Sequence, residues 1–216
     1  MLSSKKIILV FIPALLFVIL VLFVRIVQYE PLFPDIDTEQ LAKKNTGEFI
    51  IPILSQDPVL GDRKSPVTII AFEDFSCPAC QQQTAILDNI LNDYEGKVKI
   101  IWKGLPVSQF PYPSKLVHTY AYCANKQGKF EGFKNYAFTN FANLSEASLE
   151  HIAEEIELDN KKLTECLEAS ETELYIENTK QIAQILNIQA VPTFFINNRQ
   201  INQPSTQDGW KTLLNL

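Results

Sequence analysis

Cys77 and Cys80 stand two residues apart in "AFEDFSCPACQQQ", just after an apolar run and at the start of a helical one. Such a pair can be half of a metal clamp, a structural staple or a redox centre. A zinc site needs two further ligands, and Cys123, Cys166, His118 and His151 form no recognisable second half-site. The sequence therefore offers no metal site. A purely structural Cys77–Cys80 bridge is weak as well, because so short a loop removes little entropy from the unfolded chain. Redox chemistry fits better. A cysteine that opens a helix lies beside unsatisfied backbone N–H groups and the positive end of the macrodipole, both of which stabilise a thiolate. The thiolate is the reacting species, so Cys77 is the nucleophile. Pro78 suits the first helical turn, where its missing N–H costs nothing. Cys80, one turn on, faces inward as the resolving thiol.

The elements that position this pair are legible on both sides of it. "SPVTIIAFEDF" is a buried strand bounded by Pro66. "PACQQQTAILDNILNDY" repeats apolar residues at helical spacing (Ala85, Ile86, Ile90, Leu91, Tyr94) and stops at Gly96. "KVKIIWK" is a second strand, so the unit is β-α-β with its strands parallel. After "LPVSQFPYP" the chain reads as helix over about 114–188, broken at Gly128, Asn143 and around Asp159 and Ser170. It returns to strand at "VPTFFIN", turns at "NNRQ", adds a short strand near Ile201 and closes with a helix capped by Ser205 or Thr206. Strands on both sides of a helical insertion describe one α/β domain.

The first thirty residues differ from the rest. Ile7 to Val24 carries no charge and follows Lys5 and Lys6; at about 1.5 Å per residue it spans roughly 27 Å, close to a bilayer's hydrocarbon core. A cleaved signal peptide has a shorter apolar region ending at a small-residue site, and "RIVQYEPLFPDIDTEQL" offers none. The expected organisation is a cytoplasmic N-terminus at 1–6, a transmembrane anchor at 7–27, a proline-bearing linker at 28–64 and an exported domain at 65–216. Its setting is the cell (inner) membrane, single-pass, with the domain extracytoplasmic or periplasmic. The chain's 216 residues carry a net charge of −6, and the part beyond the anchor is more acidic still, which gives no support for nucleic-acid binding. Outside the cytosol thiols stay oxidised, so four cysteines make two pairs. A Cys123–Cys166 disulfide would close a long loop and stabilise by roughly 3–4 kcal/mol on the chain-entropy model.

"FEDFSCPAC" followed more than a hundred residues later by "VPTFFIN" resembles the DsbA-like branch of the thioredoxin superfamily. "CANKQGKFEGF" and "LTECLEAS" are similar to its helical segments, and the likeness covers roughly 65–216. The resemblance implies a thioredoxin fold with an inserted helical domain, and thiol–disulfide exchange in an exported compartment without a cofactor. Carried over by position, Cys77 is the attacking thiol, Cys80 its buried partner, and Pro192 a cis-proline facing them, with Val191 before it. Pro78 and Ala79 complete the active-site surface. Two departures stand out. Six residues before the first cysteine the superfamily carries a buried acid that helps move a proton; here that position is Ala71. Glu73 or Asp74 offers a partial substitute as proton relay, although acids at a strand end are ordinarily solvated. Tyr112-Pro113 stands where the family often has His-Pro, and His118 and His151 read as surface helix residues.

The expected activity is oxidation of dithiols in exported proteins, with reduced or unfolded exported proteins as clients. The resemblance implies a quinone-linked membrane reoxidase of the DsbB or VKOR type as partner. The alternatives are a disulfide reductase or isomerase and a non-catalytic binding module that holds unfolded clients. Pro78 and Ala79 neither strengthen nor forbid the oxidase direction.

Overall fold

Residues 67–73, Val-Thr-Ile-Ile-Ala-Phe-Glu, are apolar on both sides of the pleat, and such a strand must be covered on both faces. The computed structural model describes residues 15–18, 20 and 50–216, and in it this segment is the central strand of a five-stranded sheet. The strands are β1 (Val59–Gly61), β2 (Val67–Glu73), β3 (Val98–Gly104), β4 (Thr193–Ile196) and β5 (Arg199–Ile201). They lie in the order β1-β3-β2-β4-β5. β2 and β3 pair in parallel, with Ala71 opposite Trp102 and Glu73 opposite Gly104. The remaining pairs are antiparallel.

Seven helices accompany the sheet: α1 (Pro78–Asp93), α2 (Lys115–Lys126), α3 (Phe130–Thr139), α4 (Glu146–Glu155), α5 (Asn160–Leu167), α6 (Ser170–Ile185) and α7 (Gln207–Leu214). Alternation along β2 and β3 divides the core. Ile69, Ala71, Ile100 and Trp102 join Leu87 and Ile90 of α1, Trp210 of α7 and the apolar faces of α2 to α5. On the other face, Ile70, Phe72, Ile101 and Phe195 pack with Ile182 and Ala183 of α6. The insertion is five helices whose breaks fall where Gly128, Asn143, Asp159 and Ser170 interrupt the pattern. Side chains cap two of them: Ser145 accepts the Ser148 N–H, and Asp159 accepts the Lys162 N–H. Thr206, one of the two caps expected for the last helix, accepts the Gly209 N–H.

The sheet also takes in residues ahead of Ser65, where the sequence reads as linker. β1 pairs with β3, and Ile51 and Leu60 are buried. The three residues Val59–Gly61, following Pro58 and ending on a left-handed Gly61 (φ +82°), carry no alternation to recognise. Residues 28–49 of that linker lie outside the described residues. So does the anchor at 7–27 except for 15–18 and 20, which are helical with exposed apolar side chains. Among the described residues no helix is long and apolar enough to cross a membrane.

A buried ion pair fastens the added segment. Lys103 Nζ lies 2.6 Å from Asp57 Oδ2, and both side chains are fully enclosed. Asp57 also accepts the Leu54 N–H at 2.7 Å and the Tyr175 hydroxyl of α6 at 3.1 Å. Burial pulls the Lys103 ammonium down, while Asp57 opposes the pull. Asp57→Ala leaves that ammonium buried and unpaired, and is expected to cost about 3–5 kcal/mol. Lys126→Ala breaks an exposed pair with Glu171 and is expected to cost less than about 1 kcal/mol. Urea unfolding of both variants checks the contrast; equal losses would contradict it.

Candidate redox site

The site begins where β2 ends. Glu73 closes the strand, Asp74 to Ser76 turn the chain, and Cys77 caps α1 in an extended conformation (φ −102°, ψ 115°) with Pro78 at the first helical position. The Cys77 N–H donates to the Asp74 carbonyl at 3.2 Å, and the Cys77 carbonyl accepts from Gln81 at 3.1 Å. Cys77 Sγ accepts the Cys80 N–H at 3.1 Å, the contact that stabilises a thiolate once the pair is reduced. Cys77 and Cys80 are joined as a disulfide with Cα atoms 5.2 Å apart. Their environments differ. Cys80 is fully buried, Cys77 is half-buried, and Pro78 and Ala79 between them are exposed. An incoming thiolate therefore meets the sulfur of Cys77.

The loop before β4 faces this sulfur. The Val191–Pro192 peptide is cis, and the Val191 carbonyl oxygen lies 3.6 Å from Cys77 Sγ. Pro192 is buried and Val191 half-buried. The Thr193 hydroxyl donates to the Ala190 carbonyl at 2.7 Å and closes the turn. A disulfide also joins Cys123 of α2 to Cys166 of α5, with Cα atoms 5.8 Å apart. It staples two insertion helices and takes no part in the site.

Both acids beside the cysteines are buried, contrary to the solvated strand-end carboxylates expected from sequence. Asp74 is 0% exposed and gathers five donors. Oδ1 accepts from the Ser76 N–H at 3.1 Å and faces His118 Nε2 at 3.3 Å. Oδ2 accepts from the N–H groups of Val107 (2.9 Å) and Ser108 (2.8 Å) and from the Ser114 hydroxyl (2.9 Å). Burial works to raise its pKa, but the bond and charge of His118 and the backbone N–H groups of Ser76 and Ser108 win. They hold the carboxyl well below the usual range. Asp74 thus ties the turn before Cys77 to the loop after β3, which contains a second cis bond, Phe110–Pro111.

Glu73 points to the other side. It shares the face of Ile69 and Ala71, since residues two apart on a strand point the same way. Glu73 therefore stands on the same face of β2 as Ala71, two residues further along. Its Oε2 accepts from Trp102 Nε1 at 2.9 Å and its Oε1 from the Thr84 hydroxyl at 3.3 Å. Burial pushes the Glu73 carboxyl up to about 7, against the lowering pull of Lys134, Trp102 and Thr84.

Sequence reasoning missed His118 and Lys134. His118 is 3% exposed rather than a surface residue, stacking on Trp102 with ring centroids 5.5 Å apart. Gly104 makes room for it: a Cβ there would collide with His118 Nδ1 and the Trp102 ring. The available signal was that "LVHTYAYCA" leaves α2 almost no polar face. His151 is exposed, as expected. Lys134 is buried on α3 and bonds both Asp88 oxygens, at 2.9 and 2.7 Å. Phe130 and Phe138, four residues to either side on the same stripe, were its signal.

A family model described as Thioredoxin matches residues 54–215. Among curated relatives, the Na(+)/H(+) antiporter NhaA 3 of Salinispora tropica is 28% identical over 164 residues, 76% of this chain and 25% of the antiporter. The chain thus spans about a quarter of the length of such relatives. Disulfide bond formation protein D of Bacillus subtilis is 24% identical over 182 residues, 73% of this chain and 75% of that protein. The crystal structure of the thiol-disulfide exchange protein alpha-DsbA2 from Wolbachia pipientis superposes with a TM-score of 0.67 at 20% identity. That match covers 74% of this chain and 87% of the other, and it shows the shared fold. The resemblance carried by "FEDFSCPAC" and "VPTFFIN" is borne out.

The Glu73 carboxyl holds its proton more tightly folded than unfolded. Its stabilising contribution is therefore fully present below about pH 4.5 and is lost as the pH rises through about 7. Glu73→Gln cannot ionise, so it is expected to gain up to about 3 kcal/mol over the parent at about pH 8 and little at about pH 4.5. Urea midpoints of the oxidised proteins at both pH values check this. A difference independent of pH would contradict it.

Proposed function

The chain belongs to the thioredoxin family, and from that membership we propose that it is a membrane-anchored, extracytoplasmic thiol:disulfide oxidoreductase of DsbA-like type. It introduces disulfides into exported proteins through Cys77 and Cys80. The observation that carries this reading is the asymmetric pair: a half-buried Cys77 sulfur capping α1 beside Val191-Pro192, with Cys80 fully enclosed behind it. The printed name of the Bacillus subtilis relative supports the same direction. Anchoring rests on the uncharged stretch from Ile7 to Val24.

A client thiolate attacks Cys77 Sγ and breaks the Cys77–Cys80 bond. The client is then held as a mixed disulfide, and the electron pair leaves on Cys80. A buried Cys80 thiolate is costly, so it takes a proton from Glu73, whose carboxyl is partly protonated near neutral pH. Asp74, with both oxygens committed to donors and a lowered pKa, serves as the clamp of the turn and not as the relay. A second client thiolate attacks the client sulfur and expels Cys77 as a thiolate, which the Cys80 N–H and the helix N-terminus stabilise. Two electrons have then passed from the client dithiol to the enzyme. A quinone-linked membrane protein of the DsbB or VKOR type removes them. Val191 offers its backbone to an extended client segment, a sequence-tolerant mode of holding unfolded chains. Pro78 and Ala79 form the exposed rim against which that segment lies.

The test is oxidation of a reduced, unfolded model protein by the oxidised domain. Cys77→Ser is expected to reduce the rate to the uncatalysed level. Cys80→Ser is expected to accumulate a mixed disulfide through Cys77 that a reductant releases. Client protection that persists unchanged in Cys77→Ser, with no catalysed oxidation by the parent, would instead identify a holdase.

A further inference from the structure

A client seated over Cys77 and Val191-Pro192 covers the front of the site, yet each cycle requires Glu73 to give up a proton and recover one. Cys80, Thr84 and Asp88 lie four residues apart along one stripe of α1, running from the enclosed resolving cysteine to a side chain 35% exposed. Glu73 meets that stripe at its middle, where the Thr84 hydroxyl donates to it at 3.3 Å. Thr84 also lines an open groove between α1 and α3, together with Ala85, Asp88, Asn135 and Thr139. The groove runs along α1 from Gln81 and Gln82 onward, and neither Pro78 nor Ala79 lines it.

We propose that this groove is the proton outlet of the redox site, with the Thr84 hydroxyl as the relay between Glu73 and groove water and Asp88, paired to the buried Lys134 behind it, as its charged wall. The inference rests on the exchange activity proposed above. In the step that reduces the enzyme, the Glu73 O–H proton passes to the Cys80 thiolate. Thr84 then hands its hydroxyl proton to the Glu73 carboxylate and takes one from groove water, so the acid is restored with no net change at Thr84. The charged groups acting on Glu73 are Lys134 from α3 and Asp88 from α1, and Cys80 lies one helical turn before Thr84 on the same stripe. Asp74, next in the chain, turns away toward His118. Lys134 and Thr84 act through Glu73 and are positioning residues. The inserted helices thereby contribute to the chemistry and not only to the core.

Thr84→Val keeps the volume and removes the hydroxyl, while Thr84→Ser retains it. The measurement is the rate at which a dithiol peptide reduces the Cys77–Cys80 disulfide, followed by Trp fluorescence across about pH 5 to 9. Thr84→Val is expected to slow the reaction roughly 5- to 10-fold near neutral pH and to move its inflection upward by about half a pH unit or more, because a hydrogen bond to the carboxylate is lost. Thr84→Ser is expected to restore both within about twofold. A parental rate and inflection in Thr84→Val overturns the outlet, as does slowing by one factor at every pH with the inflection unmoved. If the parent itself exchanges no faster than free dithiol, the exchange reading fails instead.

Discussion

Two consecutive carboxylates leave the end of the central strand in opposite directions, and both are enclosed. Burying an unpaired carboxylate costs several kcal/mol, so each needs its own solution. Asp74 stays charged by collecting three backbone N–H groups, a hydroxyl and His118. Glu73 has two neutral donors and Lys134 nearby, and its raised pKa lets it hold a proton. The strand's alternation separates the two roles: one acid fixes the turn that presents Cys77, the other stands against the stripe that carries Cys80.

The surrounding architecture follows from meeting those demands. Gly104 at the end of β3 clears space for His118, α2 delivers that ring and Ser114 precedes α2 to close the loop below it. α3 supplies Lys134. Thus the inserted helices provide partners for both acids, and the Cys123–Cys166 bond ties α2, which carries His118, to α5. On the opposite face, Asp57, Lys103 and Tyr175 form an enclosed network tying the segment before β1 to the sheet and to α6.

The strand, the helix with Pro78 at its start, and the helical insertion were readable because each is a local pattern. Period, capping residues and breaks lie within a few positions of one another. The pairing of Cys77 and Cys80 was equally local. The fate of Glu73 and Asp74 was not, since their partners Lys134 and His118 lie far along the chain and look like ordinary helix residues. Only the apolar surroundings of those two residues hinted at burial. β1 escaped because three residues cannot show a period. The anchor read at 7–27 depends on sequence alone, as all but five of those residues fall outside the described structure.

Whether this centre makes disulfides is decided by how much the fold favours the reduced pair over the oxidised one. The Cys80 N–H and the start of α1 are both placed to stabilise a Cys77 thiolate, and stabilising the reduced form is the physical basis of the oxidase direction proposed above. The direct measurement is the reduction potential of the Cys77–Cys80 couple, equilibrated against glutathione. The account predicts a value less negative than about −200 mV, nearer the roughly −120 mV of a strong oxidase. A potential at or below about −270 mV, where reducing thioredoxins lie, would contradict it.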